Sequence, residues 1–163
     1  MEMTKPMPDK KDASGIIINI NVSCRSVRFD RQKLADMLRS TSGRFGVKKA
    51  VINCAVLSDE EMKKINRKFL KKNSATDVIS FDISDKDDLE IFDIAVNAEM
   101  AKRQAENRGL KPKYELALYF LHGLLHNLGF DDSTSCKAAK MHKVEDQILQ
   151  RFGYGIVYKE VKR

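Results

Sequence analysis

"KYELALYFLHGLLHNLGFDD", residues 113–132, is the stretch whose reading decides the fold. Up to Gly129 its apolar residues lie on nearly every side of a 3.6-residue period. That pattern predicts a helix over 113–129 buried all round, not one lying on a surface. A buried helix needs layers packed around it, and the flanking sequence supplies them. "GIIININV" (15–22), "KKAVINCAVLS" (48–58), "DVISFDI" (77–83) and "LEIFDIAVN" (89–97) read as strands, the last two joined by the acidic turn "SDKDD". In the third strand Ile79, Phe81 and Ile83 are expected to face a core, with Val78, Ser80 and Asp82 turned the other way. "DRQKLADMLRS" (30–40), "SDEEMKKINRKFLKK" (58–72), "AEMAKRQAENRG" (98–109) and "STSCKAAKMHKVEDQILQRFG" (133–153) read as helices, with Asp30, Ser58 and Ser133 as N-caps and Gly109 as a C-cap. The order predicts an α+β single domain: a small mixed sheet of about four strands packed with about five helices. Residues 1–14 read as a disordered polar tail and 15–163 as the domain.

The chain has 163 residues, 42% hydrophobic and 33% charged, which suits one soluble domain rather than two. No stretch approaches the ~20 apolar residues of a membrane span, and the lysine-rich N-terminus lacks the apolar segment of a secretory signal. Cys24, Cys54 and Cys136 are scattered and odd in number, which argues against a disulfide framework and for a reducing cytoplasm. A net charge of +7 points to an anionic partner, with "NRKFLKKN" (66–73) as one concentration of charge. A solvated helix face has the same composition.

Two imidazoles interrupt the buried helix. His122 and His126 are four apart, so they share a helix face, the spacing by which one helix offers two ligands to one metal ion. Gly129 allows a sharp turn, and Asp132 follows three residues later to complete a His122–His126–Asp132 metal site of one zinc per chain. The alternative is a pair of satisfied core histidines. Against that, an unpaired buried polar group costs about 1–3 kcal/mol, and a metal is the economical partner. The spacing also resembles that of the metzincin peptidases, but their general-base Glu directly follows the first His, where this chain has Gly123. Peptide hydrolysis by that route is therefore excluded.

"HGLLHNLGFDD" (122–132) resembles the signature of the YbeY family of bacterial endoribonucleases, in which Asp132 stands where a third His is usual. "INRKFLKKNSATDVISFD" (65–82) and "FDIAVNAEMAKRQA" (92–105) resemble two further family blocks, so the likeness spans about residues 50–155. The resemblance implies a zinc-dependent endoribonuclease specific for single-stranded RNA. Its place would be in ribosomal RNA processing, at the 3′ end of 16S rRNA, and in ribosome quality control. The small ribosomal subunit would be its partner, with no membrane and no DNA specificity. His122 and His126 carry over as ligands. Asp132 takes the third position and adds a negative charge expected to make a bound water less acidic. Four residues depart from the family pattern: Leu70 stands where many members have Arg, Phe92 where Gly is usual, Asp82 where Pro is common, and Asp132 as described.

On that reading the catalytic set is His122, His126, Asp132, Lys71 and Lys72, the lysines forming a cationic wall backed by Arg67. A solvated helix end is the alternative for either lysine. Thr76 and Ser80 are candidates for contact with the RNA backbone, or ordinary strand residues. Asp131 would orient a ligand or shape the turn, and His142 reads as a solvent-edge histidine. No general base stands out. Two other functions remain open: a ribosome-assembly RNA-binding factor with a structural or weakly catalytic metal, and a metal hydrolase of a non-RNA substrate.

Overall fold

A computed structural model describes residues 15–85 and 88–155. The expected tail, 1–14, lies outside the described residues, as does the end of the expected domain beyond 155. The elements run β1 (Ile16–Val22), α1 (Arg31–Arg44), β2 (Ala50–Leu57), α2 (Asp59–Ile65), a π-helical turn (Asn66–Leu70), β3 (Val78–Asp82), β4 (Glu90–Asn97), α3 (Ala98–Arg108), α4 (Pro112–Asn127) and α5 (Ser135–Arg151). The sheet order is β1-β2-β4-β3. β1, β2 and β4 are parallel neighbours, and β3 joins β4 antiparallel at the edge, so the sheet is mixed as the sequence predicts.

Local chemistry fixes the helix starts. Asp30 accepts from Lys33 N, and Ser58 and Glu61 form a reciprocal capping box at the start of α2. Asn97 caps α3 through Met100 N while its amide donates to Asp59, tying the end of β4 to α2. One cap differs from expectation. Thr134, not Ser133, caps α5 by accepting from Lys137 N, because the Ser133 hydroxyl is engaged with Asp131.

The main core lies between α4 and one face of the sheet, where Ile18, Ile52, Ile94 and Val96 meet Leu121, Leu124 and Leu125. A smaller cluster, Leu57, Met62 and Ile79, lies on the other face beneath α2. This refines the expectation for β3, in which Ile79 and Phe81 do face a core, but the smaller one. Val78 and Ser80 face α4, while Ile79 enters the smaller cluster and Ile83, just past the strand, is 52% exposed. Alternation shows that a strand has two unlike faces; it does not say which carries the larger layer.

The helix expected over 58–72 also divides. After Ile65 the backbone widens into the π-helical turn, because Asn66 is buried and its amide donates to Ser74 O and the Thr76 hydroxyl instead of facing solvent. The turn ends at Lys71, whose φ is 52°. α1 instead runs on through Thr41 and Ser42, whose hydroxyls donate back to the carbonyls of Met37 and Leu38. Among the described residues the three cysteines are free, and burial pushes the Cys54 thiol far up, out of reach of ionisation. No helix among the described residues is long and apolar enough to cross a membrane.

Candidate metal centre

α4 brings His122 and His126 to its last two turns because Gly123 lets the helix lie flat on the sheet. A Cβ at Gly123 would come within 2.9 Å of Ile94 Cγ2 and 3.0 Å of Val78 Cγ2. A glutamate is therefore sterically barred from the position where a zincin carries its general base, a physical reason for the departure read in the sequence. The helix then stops at Leu128, and Gly129, with φ at 99°, turns the chain back. Phe130 N bonds to Leu125 O, which folds the loop over the helix end and carries Asp132 to the two imidazoles.

Three atoms converge there. His122 Nε2 and His126 Nε2 are 2.9 Å apart, and Asp132 Oδ2 lies 3.5 Å and 3.6 Å from them. A tetrahedral zinc site with bonds of about 2.0–2.1 Å requires donors about 3.3 Å apart, so this triangle is close to the ligand set of one small cation. The other ring nitrogens are held from behind. His126 Nδ1 faces Phe130 O at 3.1 Å, and His122 Nδ1 faces Glu145 Oε2 at 3.1 Å. Each Nδ1–H is thereby given an acceptor, which leaves the Nε2 lone pairs directed at a common point. Two imidazole lone pairs aimed at each other at 2.9 Å are repulsive unless a proton or cation lies between them. A metal ion held by the three donors would relieve that repulsion, as would one shared proton.

Sequence reasoning misses Glu145, although its signal is present. It falls on the apolar stripe of α5 with Met141, Ile148 and Leu149, an acid where the pattern asks for a hydrophobe. It is fully buried, and among the described residues its Oε1 has no hydrogen-bond partner. Burial works to lower the His122 pKa, but the Glu145 hydrogen bond and the charges of Glu145 and Asp132 outweigh it and leave the pKa raised.

Asp131 shapes the turn. It accepts from Ser133 N, the Ser133 hydroxyl and Lys137 Nζ, and these bonds, Ser133 first, hold its carboxyl down at about 2. Thr76 is taken by Asn66, Ser80 lies under Gly123, and His142 is half-buried on α5. Lys71 and Lys72 are exposed at the end of the π-helical turn, and neither side chain forms a hydrogen bond or ion pair within the described residues. Leu70 beside them is 43% exposed. A groove of about 240 Å³ leads away from His122 between α3 and α4, lined by Asp77, Gln104, Arg108, Glu115 and Tyr119. Arg108 closes its far end by pairing with Glu115 at 2.9 Å.

A helix-end histidine pair, a returning carboxyl and a buried acid behind the first imidazole define an α+β protein with a three-residue group that could hold a metal ion. Comparison with known proteins makes the assignment narrower. The model of the family described as Endoribonuclease YbeY matches residues 19–153, and the chain belongs to that family. A Bacillus velezensis relative named Endoribonuclease YbeY is 30% identical over 85% of this chain and 96% of its own length. Relatives of the same name from Campylobacter fetus and Helicobacter pylori are 35% and 36% identical over 74% of this chain, covering 82% and 79% of theirs. The solution structure of a Thermotoga maritima protein shares the fold, with a TM-score of 0.55 at 19% identity over 90% of this chain and 99% of that one.

Proposed function

We propose that the chain is a zinc-dependent endoribonuclease that cleaves single-stranded RNA in the maturation of small-subunit ribosomal RNA, at its 3′ end, and in ribosome quality control in the cytoplasm. Membership of a family of endoribonucleases makes RNA phosphodiester hydrolysis the activity of its class. The observation that carries the metal dependence is the three-donor triangle of His122, His126 and Asp132, with no fourth protein ligand among the described residues. Structural zinc sites are commonly closed by four protein ligands, so an open triad suits catalysis. A zinc ion, when bound, supplies a Lewis acid and a water of lowered pKa.

The chain's own residues then have separable tasks. His122, His126 and Asp132 hold the ion. Glu145 and the Phe130 carbonyl orient the imidazoles, and the groove beside His122 gives an RNA strand a path to the site. Lys71 and Lys72, with Arg67 near them, supply positive charge to the phosphates, a task the family often gives to an Arg where this chain has Leu70.

Bound metal and RNA cleavage should be measured together on the wild type and on His122→Ala, His126→Ala and Asp132→Ala. About one zinc per chain, lost with cleavage in all three variants, is the expected result. Zinc retained without cleavage of single-stranded RNA by the wild type would favour an assembly factor with a weakly catalytic or structural metal. No metal at all would overturn the reading.

A further inference from the structure

The sheet face turned away from α4 bears a polar row that the metal chemistry leaves unused. Asn19, Asn53, Asp93 and Phe81 stand opposite one another across all four strands. The hydrogen bonds run one way along it: Asn19 Nδ2 donates to Asn53 Oδ1 at 3.0 Å, and Asn53 Nδ2 donates to Asp93 Oδ1 at 2.9 Å. Asp93 ends the relay with acceptor capacity left over, since within the described residues Oδ2 has no partner. Beside the row stand Ala55 and Ala95, and their small side chains leave a cavity of about 600 Å³. Phe69 of the π-helical turn forms one wall, its ring 5.6 Å from that of Phe81. Phe69 is 57% exposed, an aromatic left outside the core and beside a cavity. Arg67, Lys68, Lys71 and Lys72 lie on or just after the same turn, and Lys68 Nζ is 5.2 Å from the Phe69 ring centroid.

A ligand for this cavity must be flat and aromatic, must bring adjacent N–H donors to a carboxyl, and must carry negative charge for the rim. We propose that the cavity binds an unpaired guanosine of single-stranded RNA. The base stacks on Phe69 and Phe81, its N1–H and N2–H donate to Asp93, and O6 accepts the second N–H of Asn53. Adenine would set its N1 lone pair against the carboxyl. Uracil offers one donor flanked by two carbonyls, and cytosine offers one amine beside an acceptor. Guanine alone of the four matches two acceptors side by side. The pocket rests on the RNA reading only for where the guanosine comes from; the recognition itself is testable without cleavage.

The test is titration of the full chain with GMP, AMP, UMP and CMP, followed by saturation-transfer NMR, and with short RNAs that contain or lack one guanosine. GMP should bind at least about tenfold more tightly than the others. Asp93→Asn keeps an acceptor for Asn53 but removes one of the two acceptors facing the base, so it should abolish that preference while zinc content stays the same. Phe69→Ala, at an exposed position, should weaken all four nucleotides by about tenfold or more without changing their order. RNAs containing guanosine should compete with GMP, and a failure to compete would overturn the RNA source. No binding at millimolar GMP, binding indifferent to both variants, or a sheet face covered by a second copy of the chain in solution would overturn the pocket. A chain that cleaves RNA yet ignores guanosine loses the pocket and keeps the nuclease reading. One that binds guanosine without cleaving RNA loses only the nuclease reading.

Discussion

At the scale of single residues, Glu145 holds His122 Nδ1 from behind the candidate metal group without offering that group an oxygen. Glu145→Gln leaves a carbonyl to accept from His122 Nδ1–H but removes the neighbouring charge. Glu145→Ala leaves that N–H buried and unpaired. Zinc affinity, read by competition with a chromogenic chelator, should fall about tenfold in the first and nearer a hundredfold in the second. Equal affinity in all three proteins would mean that Glu145 orients nothing. The raised pKa of His122 sets the pH dependence. A metal needs the neutral imidazole, and a raised pKa keeps the ring protonated to higher pH. Affinity should therefore decline on acidification from above the ordinary histidine value of about 6.5. In Glu145→Gln the decline should begin at lower pH, because the group that holds the proton on has been weakened. Metal occupancy followed from neutral pH to about pH 5 tests both statements.

At the scale of elements, the seating of α4 on the sheet is the constraint from which the site follows. Gly123→Ala forces a methyl against the branched side chains of Ile94 and Val78, neither of which has a free end to swing away. It should cost about 1–3 kcal/mol by urea unfolding and, by lifting the helix, lower zinc occupancy as well. A second joint links α2 to α3, where Arg103 grips Asp59 through two bonds of 2.7 and 2.9 Å while Asn97 donates to the same carboxyl. The Arg103 hydrogen bond leads in holding Asp59 down at about 2, against an opposing push from burial and with help from the Asn97 hydrogen bond. A depressed folded pKa means stability that is present above the unfolded value, about 3.9, and lost as pH falls through about 2. The stability gap between wild type and Asp59→Asn should thus be constant above about pH 5 and close toward pH 2. The histidine pair on α4 is legible in the sequence because a four-residue spacing is a geometric statement about any helix. Glu145 is not, because its meaning depends on which α4 residue the α5 stripe meets, and no local pattern holds that. Which face of β3 meets the larger core is hidden for the same reason, since α2 and α4 divide the two faces only in three dimensions.

At the scale of the whole molecule, the sheet separates two chemistries and the exposed lysines stand near the edge between them. The metal group lies on the α4 side, next to β3, while the guanosine pocket lies on the far side. The chain from Leu70 to Asp77 passes from α2 to β3, and it carries Lys71 and Lys72. A strand of RNA reaching from one face to the other would have to cross this edge, with its phosphates against those two ammonium groups. The net charge of +7 favours RNA anywhere on the surface, so a simple loss of affinity would not locate the path. Salt dependence is the sharper readout, because each phosphate neutralised releases counterions. For single strands the slope of log K against log salt changes by about 0.7 for each phosphate that is no longer neutralised. Lys71→Ala with Lys72→Ala should therefore flatten the slope by about 1.4, while Lys111→Ala with Lys113→Ala, at the far end of α4, should leave it nearly unchanged. Unfolding midpoints should move little in either double variant, since all four side chains reach solvent or lie at its edge. Equal flattening by both pairs would mean that RNA is held by overall charge alone and that the edge of β3 is not its route.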